Sequence, residues 1–152
     1  MGSNMSISRN LSIFADTLAS TGATIGIQEV VTVSATAATG TVNFDASTQS
    51  VLYYTTNASA NWTLNIRGNS TTTLNSVMTT GQSLTVAFLV TQGATAYYAS
   101  ALTIDGTSVT PKYQGGNAWT FGDPSSIDAY TYTIIKTGSA AFTVLAAQTQ
   151  FK

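Results

Sequence analysis

The chain has 152 residues, a formal net charge of −1 and only 7% charged residues, and it contains neither His nor Cys. Without Cys there is no disulfide framework or thiolate metal site, and without His a serine nucleophile lacks its usual general base. The 5 basic residues are scattered along the chain, which argues against a nucleic-acid partner, whereas the hydrophobic fraction of 43% indicates a chain that folds.

The N-terminal region divides into two parts. Residues 1–5 read as an expression remnant followed by a natural start at Met5. In residues 6–24 large apolar side chains recur at spacings of four, three and four, the period of one helical face. We therefore predict a short N-terminal helix whose apolar stripe packs on the chain's own β domain or forms an inter-chain seam. The stripe consists of Ile7, Leu11, Phe14 and Leu18.

From residue 25 to residue 152 the apolar period is two, which predicts one β-sandwich domain. Trp62, Leu64 and Ile66, for example, lie on one face of a strand whose other face is polar. Val, Ile, Thr, Tyr and Phe dominate these runs, as expected for a pleated surface. The predicted strands cover residues 28–36, 41–44, 50–56, 62–67, 84–90, 96–104, 127–136 and 141–151.

The segments between these strands determine the predicted topology. Asp105-Gly106 reads as a tight hairpin turn, because both residue types tolerate positive φ. No helical segments alternate with the strands, as a parallel sheet would need. The predicted fold is therefore all-β, an antiparallel β-sandwich or jelly roll with a short N-terminal helix.

The acidic residues offer little catalytic potential. Asp123 and Asp128 are the closest pair in sequence, and two carboxylates facing each other across a cleft would suffice to cleave a glycan. Asp123, however, precedes Pro124 in a predicted turn, where a carboxylate caps backbone N–H groups. Residues 115–128 could also form a Ca²⁺ loop, but they lack a recognised ligand spacing. We expect no catalytic residue, no metal and no cofactor, and hence no enzyme.

Aromatic residues are the remaining candidates for contact. Tyr113, Trp119 and Phe121 lie in a Gly-rich region, where flat rings with polar tips suit a glycan or a protein partner. The alternative is that Trp119 packs back onto the sandwich. The adjacent pairs Tyr53-Tyr54 and Tyr97-Tyr98 should each turn one ring outward, as a subunit interface would use. No stretch approaches the roughly 18 apolar residues of a membrane span, so we expect no membrane partner.

Two sets of segments resemble virion structural proteins of marine tailed phages. Residues 8–22 resemble segments of tail-fibre and related proteins, including those of the T4-like phages of cyanobacteria. The second set resembles the C-terminal module of such proteins, and together the two sets span most of the chain. The second set comprises residues 65–68, 81–86, 97–98, 104–106, 115–116, 126–130 and 135–138.

The resemblance implies a role in virion structure, as a tail-fibre or capsid-decoration module, and no site residues. It implies a protein made in the host cytoplasm and located in the virion, a homo-oligomer with a trimer favoured. Its partners would be other virion proteins and a host-surface glycan or protein. A stand-alone carbohydrate-binding module is the alternative, and a glycan-cleaving fibre domain comes third.

Overall fold

Residues 29–152, the part of the chain that the computed structural model describes, form β-strands and one short helix. The predicted remnant at residues 1–5 and the predicted helix at residues 6–24, with its stripe, lie outside the described residues. The strands are β1 (Val31–Ala37), β2 (Gly40–Asp45), β3 (Val51–Thr56), β4 (Trp62–Arg67), β5 (Ser83–Thr91), β6 (Ala99–Ile104), β7 (Thr107–Ser108), β8 (Lys112–Tyr113), β9 (Ile127–Gly138) and β10 (Ala141–Phe151), and helix α1 is Leu74–Val77.

The strands form two sheets that share one hydrophobic core. Sheet A has six strands in the order β1-β3-β5-β9-β10-β8, and sheet B has four in the order β2-β4-β6-β7. Buried side chains of both sheets belong to one cluster, so the all-β, two-layer prediction is confirmed. Each of the eight predicted strands coincides with an observed one to within a few residues, and the limits of β4 and β10 are as predicted.

The predicted antiparallel pairing is wrong for more than half of the strand pairings within residues 29–152. Five of the eight strand pairings are parallel: β1–β3, β3–β5, β2–β4, β4–β6 and β10–β8. Consecutive strands from β1 to β6 alternate between the sheets. Two neighbouring parallel strands of one sheet are therefore connected by a strand of the other sheet, and no helix is needed. The chain thus winds three times, as coil 1 (β1, β2), coil 2 (β3, β4) and coil 3 (β5, β6). The jelly-roll prediction is not confirmed.

Register between the coils stacks large side chains inside the sandwich. In sheet A, Leu52 pairs with Phe88, which pairs with Tyr130, and all three are buried. Trp62 of sheet B meets the Phe88 ring at 5.8 Å and the Tyr130 ring at 5.5 Å, both edge to face. Such ring pairs contribute about 0.5–1.5 kcal/mol each beyond the burial of their area. This aromatic contact joins the two sheets at the centre of the core.

Helix α1 is tied to both sheets by charged side chains. The Asp105 carboxylate, from the turn between β6 and β7, accepts hydrogen bonds from the Leu74 N–H at 2.6 Å and the Asn75 N–H at 2.9 Å. The Lys136 ammonium, pointing inward from β9, donates to the carbonyls of Met78, at 2.7 Å, and Asn75. Asp105 and Gly106 have φ of 51° and 79°, so the predicted hairpin turn is confirmed.

Replacing Lys136 by Met should destabilise the fold. The substitution keeps the aliphatic stem but leaves the carbonyls of Asn75 and Met78 without their donor, and an unsatisfied buried group costs about 1–3 kcal/mol. Urea denaturation measures the loss. Lys152→Met is the matched control, because that side chain is 63% exposed and lies 3.6 Å from Asp123. A surface pair of this kind contributes about 0–1 kcal/mol. Equal losses in the two variants would contradict the assignment.

Candidate functional site

The predicted aromatic residues are placed by the segment that follows β8. The Trp119 ring meets Tyr113 at 4.8 Å and Tyr130 at 5.2 Å, both edge to face. Its Nε1 donates to the carbonyl of Ala99 at 2.6 Å. Trp119 therefore links the inner side of sheet A to β6 of sheet B. Its ring covers core side chains of β9, and its indole N–H is engaged by the backbone.

The structure does not bring the three predicted contact residues together as one exposed platform. Tyr113 and Trp119 are half-buried against each other, as the alternative of packing onto the sandwich expects. Phe121 is 65% exposed, and its carbonyl accepts a hydrogen bond from the Gln148 amide at 3.0 Å. The backbone of this loop is thus fixed while the Phe121 ring projects outward. Contact of these residues with a partner stays a prediction.

A shallow groove of mostly neutral side chains runs beside this aromatic pair. One cavity of about 200 Å³ is lined by Gln114, Asn117, Trp119 and Gln148. A second, of about 390 Å³, shares Gln114 with the first, reaches Thr131 and Thr133 on the outward side of β9, and contains Lys112 as its charged residue. We refer to the two cavities together as the amide groove. Its amides can donate to and accept from a neutral polar ligand, and it contains no carboxylate.

Asp128 lies in a buried polar cluster. Its carboxylate accepts hydrogen bonds from the Gln92 amide at 3.0 Å, the Asp123 N–H at 3.1 Å and the Ser126 hydroxyl at 2.9 Å. Burial raises the pKa of Asp128, and the three donors oppose that rise only in part. A Cβ at Gly122 would clash with the Asp128 cluster, so this close approach requires glycine. The cluster fixes the loop between β8 and β9.

This geometry removes the main support for glycan cleavage by Asp123 and Asp128. The two residues are adjacent, but Asp128 is fully buried and bound by three donors, so its carboxylate does not face a substrate cleft. The sequence did not indicate Gln92, whose amide also bonds both the N–H and the carbonyl of Tyr97. A Gln at the end of a strand gives no signal of such a role.

Most of the remaining charged groups in the described part of the chain also hold structure together. Asp45 and Arg67 are register partners on β2 and β4 and form an ion pair of 2.6 Å. Asp105 and Lys136 hold helix α1, as described above. Within residues 29–152 no three acidic residues come together as a metal site would require. Of the nine charged residues in the described part of the chain, Asp45, Arg67, Asp105, Asp128 and Lys136 thus hold other parts of the fold in place.

The outward side of sheet A, by contrast, is almost free of charged residues. Val51, Ala87, Thr131 and Ala147 pair across it in register, and Leu89 lies between Tyr53 and Ala129. The outward side chains of β1, β3, β5, β9 and β10 include no charged residue, and Lys112 of β8 lies at the margin. We call this surface the outer face. Val33 and Leu145 on it are 63% and 47% exposed.

The comparisons with known proteins give no relative. No protein-family model matches the chain, and neither a curated protein nor a solved structure is significantly similar to it. In the described part of the chain, no helix has the length and apolar character needed to cross a bilayer. The function of the chain must therefore be inferred from its own sequence and surfaces.

Replacement of Asp128 tests whether the buried cluster is structural. Asp128→Asn can keep an oxygen for Gln92 and Asp123 and turn its NH₂ toward the Ser126 oxygen. Asp128→Ala leaves buried donors unpaired, at about 1–3 kcal/mol for each group. We expect Asp128→Ala to unfold at clearly lower urea concentration than Asp128→Asn. Equal loss in the two variants would contradict a role based on hydrogen bonding.

The difference in unfolding free energy between Asp128→Asn and the native protein should depend on pH. The folded-state pKa of Asp128 is raised, so the ionised carboxylate opposes folding above that pKa, and this opposition disappears as the pH falls below the ordinary value of 3.8. Asp128→Asn lacks this titration. Relative to the native protein it should therefore be more stable at pH 7 than at pH 4. A pH-independent difference in unfolding free energy would contradict this linkage.

Proposed function

We propose that this chain is a virion structural module of a tailed phage, of the tail-fibre or decoration type, that self-associates and docks to the particle. The resemblance of residues 8–22 and of the β domain to such proteins supports the phage assignment. The outer face of sheet A is the observation that carries the contact function. A six-stranded surface without charge on five of its strands is suited to burial against another protein.

The energetics of the outer face favour association. Burial of apolar area contributes about 25 cal/mol per Å². Burial of an ionised group is costly unless that group finds a partner. The outer face offers Val, Ala, Leu and Tyr side chains together with Thr hydroxyls, so little of that cost arises. The proposed role is therefore binding without catalysis.

The proposed assembly is a homo-oligomer, with the trimer favoured. Its seam, Ile7, Leu11, Phe14 and Leu18, lies outside the described residues and stays a prediction. The loop that carries the exposed Phe121 ring is the proposed contact with a host-surface glycan or protein. Other virion proteins would dock on the outer face.

A lysine placed on the outer face should weaken self-association. Leu89→Lys puts a charge between Tyr53 and Ala129 at the centre of sheet A. We expect its apparent oligomeric mass in light scattering to fall at concentrations where the native protein is associated. Ala101→Lys adds the same charge on the outward side of sheet B and should leave the mass unchanged. A native protein that is monomeric at every concentration would contradict the proposal.

The amide groove favours a second candidate, a carbohydrate-binding module. Its amides and the edge of Trp119 are groups that bind neutral sugars, and no carboxylate is present to cleave them. A glycan array on the native protein tests it. Asn117→Ala should remove any signal, and Phe121→Ala, outside the groove, should retain it. No bound glycan on the array, or equal binding by both variants, would exclude the groove as a sugar site.

A further inference from the structure

The two ends of the wound part of the molecule differ. In coil 3, β9 pairs with β5 along the whole length of β5, whereas β7 pairs with β6 only at Thr103 and Ile104. In coil 1, within residues 29–152, β1 pairs only with β3 and β2 only with β4. Among the described residues, the outer edges of β1 and β2 thus carry backbone N–H and C=O groups without a strand partner, one row in each sheet.

The side chains of this edge do not prevent pairing. Edge strands are usually protected by lysines, prolines, inward-pointing charges or bulges. Neither β1 (VTVSATA) nor β2 (GTVNFD) contains Lys or Pro, and the carboxylate of Asp45 is bound by Arg67 at 2.6 Å. A register shift between Ser34 and Ala37 is the one protective feature of β1. It leaves residues 31–34 as a regular, open ladder.

Exposed apolar side chains accompany these unpaired groups. Val30, Val31 and Val33 are 59%, 50% and 63% exposed. They are three of the seven large hydrophobic residues that the described part of the chain exposes, and all three lie at this edge. Val31 and Val33 pair with Val51 and Tyr53 and so belong to the outer face. A strand paired with β1 would satisfy the backbone groups and contact these valine side chains only from the side.

We propose that coil 1 pairs edge to edge with coil 1 of a second copy, β1 against β1 and β2 against β2, about a two-fold axis perpendicular to the sheets. A two-fold contact brings identical surfaces together, so it suits a self-complementary surface. Residues 31–37 and 40–44 carry no charge, so the two copies meet along them without like-charge repulsion. Antiparallel pairing satisfies both rows of backbone groups at once, with about ten hydrogen bonds.

This inference rests on the proposed self-association and adds its geometry. Pairing at coil 1 extends both sheets across the axis. It leaves the outer face of sheet A free for the self-association that Leu89→Lys tests and for other virion proteins. It is also distinct from the predicted seam at residues 7–18. The two-fold contact joins copies in pairs, and the favoured trimer would depend on the other contacts proposed above.

The absence of Cys from the chain makes a single-cysteine scan decisive. Val31, Thr32, Val33 and Ser34 are each replaced by Cys in the full-length protein, and disulfide-linked dimer is measured under mild oxidation. Directly opposed residues of antiparallel strands lie about 4.5–5.5 Å apart at Cα, which a disulfide can bridge. We expect dimer yield to peak at the residue nearest the axis and to exceed severalfold that of the control Ser70→Cys, which lies in an exposed loop.

Two further measurements separate the outcomes. In the Leu89→Lys background the cross-link should persist, because the outer face takes no part in it. A native protein that associates while no β1 cysteine cross-links above Ser70→Cys would overturn the edge pairing and leave the proposed function standing. A monomer at every concentration would overturn both. Cysteines of β1 that resist maleimide in a monomeric chain would show that the chain covers its own edge, which also overturns the inference.

Discussion

The alternation of consecutive strands between two sheets is the constraint on which the other features depend. Because each strand from β1 to β6 continues in the opposite sheet, the next strand of its own sheet lies parallel and in register. Inward residues of successive coils then stack, as Leu52, Phe88 and Tyr130 do in sheet A once β9 is added. Trp62 contacts the last two rings from sheet B, so the winding creates the contact that joins the sheets.

The same winding explains where the charges lie. A stacked register brings Asp45 beside Arg67, and it orders Asn43, Asn65 and Thr103 in a row linked by hydrogen bonds of 2.8 Å. Helix α1, in the connection between coil 2 and coil 3, is held by the half-buried Asp105 and the buried Lys136. Low charge content thus reflects a fold that uses ionised groups as internal contacts and leaves its broad surface on sheet A neutral.

Local features could be predicted from the sequence, and strand partners could not. The period of two gives the limits of β4, and Asp105-Gly106 gives its turn, because each depends on residues adjacent in the chain. An alternating strand has the same pattern whether its neighbour is parallel or antiparallel, so the pairing of β1 with β3 left no signal. Helix α1 is too short for a helical period. Trp119 was recognised as important, but its half-buried position depends on the distant Ala99 and Tyr130.

Interstrand nuclear Overhauser effects among backbone protons test the winding most directly. The account predicts parallel-type contacts that link Val42 to Leu64 and Leu64 to Leu102, and antiparallel contacts between Leu89 and Ala129. Antiparallel contacts between consecutive strands, such as β2 with β3 or β4 with β5, would instead support the antiparallel pairing that the sequence predicted. That result would contradict the wound architecture, and with it the open edge of coil 1.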